Sequence, residues 1–215
     1  MLSRFWWITF DVADLLPQGW QREALTVAAQ ADFREFPRTP ILTREAEDVA
    51  AVTRGRVHAD QVREGLPWLQ SLYQGAFLEL ANEAWNEPVF TAKDTRYTLV
   101  LNVQQGRDMR FECHIDSNPL TGLLFLTDHE EGGELVVSRD LNARDLATIE
   151  LDCLVIPPHA GHLLFFDARR YPHYVRNLTS ESDIRVIAAM NFYTQSFPES
   201  TRPPALNRHL YGDRP

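Results

Sequence analysis

Phe111-Glu112-Cys113-His114-Ile115-Asp116-Ser117 is the stretch on which the fold turns. Successive side chains of a strand point to opposite faces, so His114 and Asp116 share one face and Cys113 lies on the other. An imidazole and a carboxylate facing the same way are a weak signal, because an H-x-D triplet is common and alone reads as a surface pair. The surroundings decide more. Arg96 to Val103, Arg110 to Asp116, Thr121 to Thr127, Gly133 to Val137, Gly161 to Asp167 and Ile184 to Tyr193 are short β-rich runs between turn residues. Strands of this length in succession predict a sandwich or jelly roll rather than a parallel sheet.

Upstream the texture changes. Residues 1 to about 90 carry the helical signals and are expected to pack, mainly as helices, on the outside of the β core. From Gln18 to Phe33, apolar residues at Trp20, Leu25, Val27, Ala28 and Phe33 loosely follow one helical face, and Pro37 and Pro40 break it. From Ala59 to Trp85 the pattern is stronger, with Val62, Leu66, Leu69, Leu72, Tyr73, Leu80 and Trp85 mainly three and four apart. Gly65 and Pro67 divide that stretch into a short helix and a longer one, with Pro67 in a first turn. The class expected is α+β: a double-stranded β-helix, or jelly roll, with flanking N-terminal helices. One domain fills 1–215, its core spanning 91–195 and a C-terminal tail spanning 196–215.

The chain has 215 residues, 44% hydrophobic and 24% charged, which suits one domain with a sizeable core and no need of disulfides. Two cysteines, Cys113 and Cys153, make no disulfide framework and are expected as buried free thiols in a reducing compartment. Phe5-Trp6-Trp7-Ile8-Thr9-Phe10 is too short to span a bilayer and reads as a strand or core-docking segment. Asp11 and Asp14 follow it with no small-residue cleavage site, so the expected location is cytoplasmic. A net charge of −9 argues against broad contact with a nucleic-acid backbone. A small-molecule partner is expected, with neither nucleic acid nor membrane. The oligomeric state is not readable.

Downstream, Gly161-His162-Leu163-Leu164-Phe165-Phe166-Asp167 has the pattern of a buried strand and leads to Pro172-His173-Tyr174-Val175. Twelve residues after His173, Arg185 stands inside the apolar run Ile184-Arg185-Val186-Ile187. Burying an arginine there is costly unless it meets an anion. A dicarboxylate ligand would supply one through a two-pronged charge-assisted bond.

H-x-D, a distant histidine and a strand arginine, in that order, resemble the iron(II)- and 2-oxoglutarate-dependent oxygenases. Gly132-Gly133-Glu134-Leu135 and the Gly-x-Leu-Leu-x-Phe-Asp run support the resemblance, which covers about residues 96 to 195. It implies His114, Asp116 and His173 as metal ligands and catalytic centre, and Arg185 on the far carboxylate of 2-oxoglutarate. It further implies Fe(II), 2-oxoglutarate and O2 as cofactor and co-substrates, with release of succinate and carbon dioxide. Two imidazoles and a carboxylate leave positions open on the metal, as an oxygen-activating ferrous site requires. Tyr97-Thr98-Leu99, Asn102 and His114-Ile115-Asp116-Ser117-Asn118-Pro119 are also similar to a bacterial group of free amino-acid and small-metabolite hydroxylases and radical halogenases. Halogenases of that group have glycine or alanine at the carboxylate position; Asp116 is kept here, which favours oxygenation.

Other positions carry paired readings. Asn102 shares the parity of Thr98 and makes either a cofactor contact or a structural hydrogen bond. Tyr97 has the opposite parity and reads as packing. Arg185, Ile187, Ala189, Asn191 and Tyr193 alternate onto one face. Arg169, Arg170 and Arg176 either bind a substrate anion or form a solvated loop. Asp167 either orients a ligand histidine or serves a turn. Asp128, Glu130 and Glu131 read as a solvated turn or a receptor for a substrate amine. His129, His159 and His162 read as surface or turn residues, and the tryptophans as packing. The leading function is hydroxylation of an unactivated carbon in a small polar metabolite such as an amino acid. The alternatives are desaturation, cyclisation or attack on a protein side chain by the same oxidant, and a non-catalytic jelly-roll metal-binding module.

Overall fold

The structure, a computed structural model, describes residues 6–36, 42–45 and 52–211. The first part of the chain forms β1 (Trp7–Asp11), α1 (Trp20–Ala28), β2 (Asp32–Phe36), β3 (Val52–Val57), α2 (Ala59–Gly65), α3 (Pro67–Gln74) and α4 (Ala76–Ala84). Then come β4 (Val89–Thr91), β5 (Leu99–Gln105), β6 (Phe111–His114), β7 (Leu120–Phe125), β8 (Leu135–Ser138) and α5 (Leu146–Leu151). The chain continues through β9 (Cys153–Ile156), β10 (His162–Phe166), β11 (His173–Val175), β12 (Ile184–Thr194) and α6 (Pro204–Tyr211).

The strands make two antiparallel sheets, as expected of a jelly roll. The major sheet runs β1-β10-β7-β12-β5-β3-β2, with β4 pairing the end of β12; the minor sheet runs β6-β11-β8-β9. Strand parity distributes the core. In β10, Leu163 and Phe165 face the helices, whereas Leu164 and Phe166 face the space between the sheets. In β12, Val186, Ala188, Met190 and Phe192 face the helices and Ile187 faces inward. Both faces of the centre of the major sheet are therefore buried, which is why β7, β10 and β12 read as largely continuous apolar runs rather than alternating ones.

The helical layer is built as its periodicity indicates. Val62, Leu66, Leu69, Tyr73, Phe77 and Ala81 recur at steps of three and four and are fully buried against the major sheet. Burial of each large side chain contributes about 1.5–3 kcal/mol. Pro67 opens α3, where its missing N–H costs nothing, and a second break at Gly75 splits the expected longer helix into α3 and α4. Tyr73 pins this layer to β12: its hydroxyl donates to the Asn191 carbonyl at 2.6 Å and accepts from Ala92 N–H at 2.8 Å.

Several elements differ from expectation. The helix expected up to Phe33 ends at Ala28, and Phe33 lies in β2. The breaks expected at Pro37 and Pro40 lie outside the described residues. Trp7–Asp11, by contrast, agrees with its reading as a strand and pairs with β10 at the edge of the major sheet. The first 90 residues thus contribute β1, β2 and β3 to that sheet besides their helices. The segment read as a C-terminal tail contains α6. Cys113 is buried, but Cys153 is only partly so, and both are free thiols. Among the described residues no helix is long and apolar enough to cross a membrane.

Candidate metal centre

The register of the minor sheet brings the two histidines together. His114 ends β6, His173 begins β11, and they are direct cross-strand partners with ring centroids 4.4 Å apart. The strand expected to reach Asp116 stops at His114. Asp116 is instead held by its backbone N–H, which donates to the Ala168 carbonyl at 2.9 Å. Its Oδ1 lies 3.4 Å from His114 Nε2 and 3.8 Å from His173 Nε2. One ligand atom from each of the three lies within 4.8 Å of the others, close enough to share one cation.

Hydrogen bonds aim all three side chains. His114 Nδ1 donates to the Glu112 carbonyl at 2.8 Å, and His173 Nδ1 to the Tyr171 carbonyl at 3.0 Å. A carbonyl can only accept, so Nδ1 carries the proton in both rings and the Nε2 lone pairs face the centre. Asp116 Oδ2 accepts from Thr121 Oγ1 at 2.5 Å, and that hydroxyl accepts from Asn118 Nδ2 at 2.8 Å. The remaining Asn118 N–H goes to the Leu120 carbonyl, which fixes the direction of the relay and leaves Oδ1 for the cation. Phe166 packs edge-on against His173, with ring centroids 5.0 Å apart.

The charges suit a cation. Burial opposes an ionised Asp116, yet the neighbouring imidazoles and the Thr121 hydroxyl hold its pKa well below the usual carboxylate range. Burial also opposes a charged His114, but Asp116 outweighs it and raises the pKa. Burial and the neighbouring His114 push His173 down to about 4, so its ring is neutral and ready to bind metal at neutral pH.

Across the cavity stands Arg185 on β12, only 1% exposed. Its Nε and Nη2 are buried with no hydrogen-bond partner among the described residues. Burial pulls its pKa down to about 9, with the Glu134 carboxylate opposing. The Asn102 side chain lines the same cavity, and its Oδ1 is likewise buried without a partner. Unpaired polar groups of this kind are costly, so a ligand with an anionic end fits here. The Gly132-Gly133 pair makes room for it: Gly133 has φ +70°, and a Cβ there would stand 2.7 Å from Arg185 Cδ.

The remaining sequence candidates sort clearly. Arg185, Ile187, Ala189 and Asn191 line the cavity from β12, but Tyr193 does not. Asp167 does not orient a ligand ring, since both rings take backbone carbonyls; it sits 3.8 Å from Arg170, and burial raises its pKa to about 6. Arg169, Arg170 and Arg176 do not line the cavity. Arg169 donates to the Ser117 carbonyl at 2.8 Å, and Arg176 pairs with Glu150 at 2.6 Å. Asp128, Glu130, Glu131, His129, His159 and His162 are also absent from the lining. Sequence reasoning missed Thr121 and its relay, Arg54 and Arg56 on β3, and Arg202, Leu206 and Leu210 at the C-terminal end, all of which line the cavity. Thr121 had one legible signal, a hydroxyl at the inward-facing parity of an otherwise apolar strand.

The model of the 2OG-Fe(II) oxygenase superfamily matches residues 93–193. No curated protein matches the sequence. Among solved structures, the non-heme alpha-ketoglutarate-dependent epimerase SnoN from nogalamycin biosynthesis is similar with a TM-score of 0.63 at 15% identity, covering 89% of this chain and 79% of that one. A prolyl hydroxylase from Trichoplax adhaerens, in complex with a hypoxia inducible factor peptide fragment, gives 0.58 at 17% identity, over 91% and 85%. HygX from Streptomyces hygroscopicus, with nickel and 2-oxoglutarate bound, gives 0.59 at 11% identity, over 91% and 85%. At these identities the likeness is one of fold. The matched segment, however, contains His114, Asp116, His173, Asn102 and Arg185, so sequence match and geometry fall on the same residues. Residues 93–193 are thus similar to the 2OG-Fe(II) oxygenase superfamily, and the His-Asp-His site fits iron(II), 2-oxoglutarate and O2 as cofactor and co-substrates.

Proposed function

We propose that this enzyme hydroxylates an unactivated carbon of a small polar metabolite such as an amino acid, with release of succinate and carbon dioxide. The observation that carries this reading is the pairing of a complete His-Asp-His triad with a buried guanidinium across the same cavity whose Nε and Nη2 have no hydrogen-bond partner among the described residues. His114, Asp116 and His173 would hold the iron through Nε2, Oδ1 and Nε2. Arg185 would bind the far carboxylate of 2-oxoglutarate, with Asn102 turned to the same ligand. When bound, iron, 2-oxoglutarate and oxygen supply the oxidising power; one oxygen atom goes to succinate and the other to the substrate carbon.

The chain's own part is to position and to exclude water. The Glu112 and Tyr171 carbonyls keep both imidazoles in the metal-binding tautomer. Thr121 stops the Asp116 carboxylate from rotating. Leu123, Phe166, Val175 and Ile187 wall the cavity and keep bulk water from the reacting centre. Retention of Asp116 as the third protein donor favours oxygen transfer over halogen transfer. Polar lining by Asn102, Asn191, Arg56 and Arg202 favours a polar substrate over a hydrocarbon.

The test is a panel of free amino acids and related small metabolites incubated with enzyme, iron(II), 2-oxoglutarate and oxygen. The expected result is succinate formed in step with a product one oxygen heavier. A product two hydrogens lighter would replace hydroxylation by desaturation or cyclisation. No substrate-dependent succinate with any panel member would contradict the small-metabolite reading.

A further inference from the structure

Arg202 lies just before α6, lines the cavity of the triad, and is braced on three sides. Its guanidinium stacks 3.8 Å over the Tyr97 ring. Its Nη1 donates to Ser117 Oγ at 2.5 Å, and its Nε donates to Asn207 Oδ1 at 2.7 Å. The braces are themselves anchored. The Tyr97 hydroxyl donates to Glu199 Oε1 at 2.7 Å, and Asn207 Nδ2 donates to Asp94 Oδ2 at 3.0 Å.

All of these direct partners of the guanidinium are neutral. Arg96, Arg110 and Arg176 each meet a carboxylate within 3 Å, whereas Arg202 meets none within ion-pair distance among the described residues. The nearby acids are already committed, Glu199 to the Tyr97 hydroxyl and the Lys93 and Asp94 N–H groups, and Asp94 to Arg96 and Asn207. An immobilised guanidinium with no counter-ion among the described residues, facing a cavity, has already met the ordering cost of binding an anion. Among the described residues, the same cavity is lined by four arginines, Arg54, Arg56, Arg185 and Arg202, and by the carboxylates Asp116 and Glu112. Arg185 is taken by the co-substrate under the reading above, and this inference rests on that reading.

The geometry points to Arg202 as the group that receives a carboxylate of the substrate, and so to a carboxylate-bearing metabolite as the substrate class. Ser117, which Arg202 touches, directly follows the ligand Asp116. An anion on Arg202 is therefore within the length of a small metabolite from the metal. Charge-assisted bonds of this kind discriminate a carboxylate from a neutral amide by about tenfold or more.

The test uses wild-type enzyme, R202K and R202Q, each loaded without oxygen with iron(II) and saturating 2-oxoglutarate. Each is titrated with free L-amino acids and with the matching carboxamides, reading the absorption change of the metal centre. In the wild type, at least one acid is expected to bind about tenfold or more tightly than its amide. In R202Q that preference falls to near one, and R202K keeps part of it. Amides binding as well as acids would overturn the inference, as would equal weakening of acid and amide in R202Q, the mark of a merely structural brace. Failure of every panel member to bind a normally loaded centre would overturn it too. A wild type that does not take up iron and 2-oxoglutarate would instead sink the parent reading, and the two failures are distinct.

Discussion

The two sheets contribute unequally prepared halves of one site. The minor sheet supplies both histidines, and beside them every polar atom that aims the triad is satisfied: each Nδ1 has its carbonyl, and Asp116 Oδ2 has the Thr121 hydroxyl. The major sheet supplies Arg185 and Asn102, whose buried Nε, Nη2 and Oδ1 have no partner among the described residues. The metal half is thus oriented in advance. The half with Arg185 and Asn102 carries a hydrogen-bond deficit, among the described residues, that a keto-diacid would meet on the proposed reading. A satisfied network makes a rigid coordination site, and an unsatisfied one makes a binding site.

The largest expected effect comes from deleting a member of the satisfied half. H173A or D116A is expected to abolish iron-dependent succinate release, while thermal unfolding stays cooperative because the core is untouched. Full turnover in either variant would break the assignment of ligands. Next comes the unsatisfied half. R185Q is expected to raise the 2-oxoglutarate requirement by about 100-fold, the loss of one or two charge-assisted bonds, with iron affinity within a few-fold of wild type. Equal losses of iron and 2-oxoglutarate affinity would erase the division between the sheets.

The relay behind Asp116 sharpens the comparison. T121V is expected to weaken metal affinity by about tenfold, in the range seen when a ligand's supporting partner is removed, and T121S to restore it. Direct titration with iron(II) or a spectroscopic substitute measures this without turnover. G133A is expected to act on the other half. Its side chain would meet Arg185 Cδ at 2.7 Å in a backbone conformation L-residues rarely adopt, so 2-oxoglutarate affinity falls and metal affinity does not. A separate effect, outside the site, is on stability. Asp167 has a pKa raised to about 6 by burial, the Arg170 guanidinium only partly opposing. The folded state holds this proton more tightly than the unfolded state. Its stability contribution is therefore full below the ordinary carboxylate pKa near 4 and is lost as pH rises through about 6. D167N removes that loss, and at pH 7.5 it is expected to be more stable than wild type by on the order of 2 kcal/mol. Denaturant melts at pH 4.5 and 7.5 would show it, and an advantage larger at the lower pH would contradict the sign.

What could be read from the residues was what period and residue type encode. The spacing of His114 and Asp116 puts them on one face, a weak signal that gains weight only with His173 and Arg185 downstream, and Arg185 stands out by the cost of a cation in an apolar strand. The helical steps from Val62 to Tyr73 follow from a single buried face. What escaped was long-range pairing. β2 and β3 hold Arg34, Arg54 and Arg56 amid few apolar residues, and they become strands only because β5 offers an edge to pair with. Arg202 is 85 positions from the Ser117 it touches, and no local pattern connects them. The cross-strand pairing of His114 with His173 is set by sheet register, which the spacing of 59 positions does not contain. The sequence resemblance supplied that link where local physics did not.

On the proposed reading, one side of the cavity would hold the iron and the other the keto-diacid. A crystal structure of the protein grown without oxygen, with iron(II) and 2-oxoglutarate, tests it most directly. The account predicts metal bonded to His114 Nε2, Asp116 Oδ1 and His173 Nε2, and the distal carboxylate hydrogen-bonded to Arg185. Metal bound elsewhere, or 2-oxoglutarate bound with the Arg185 guanidinium still unpaired, would contradict it.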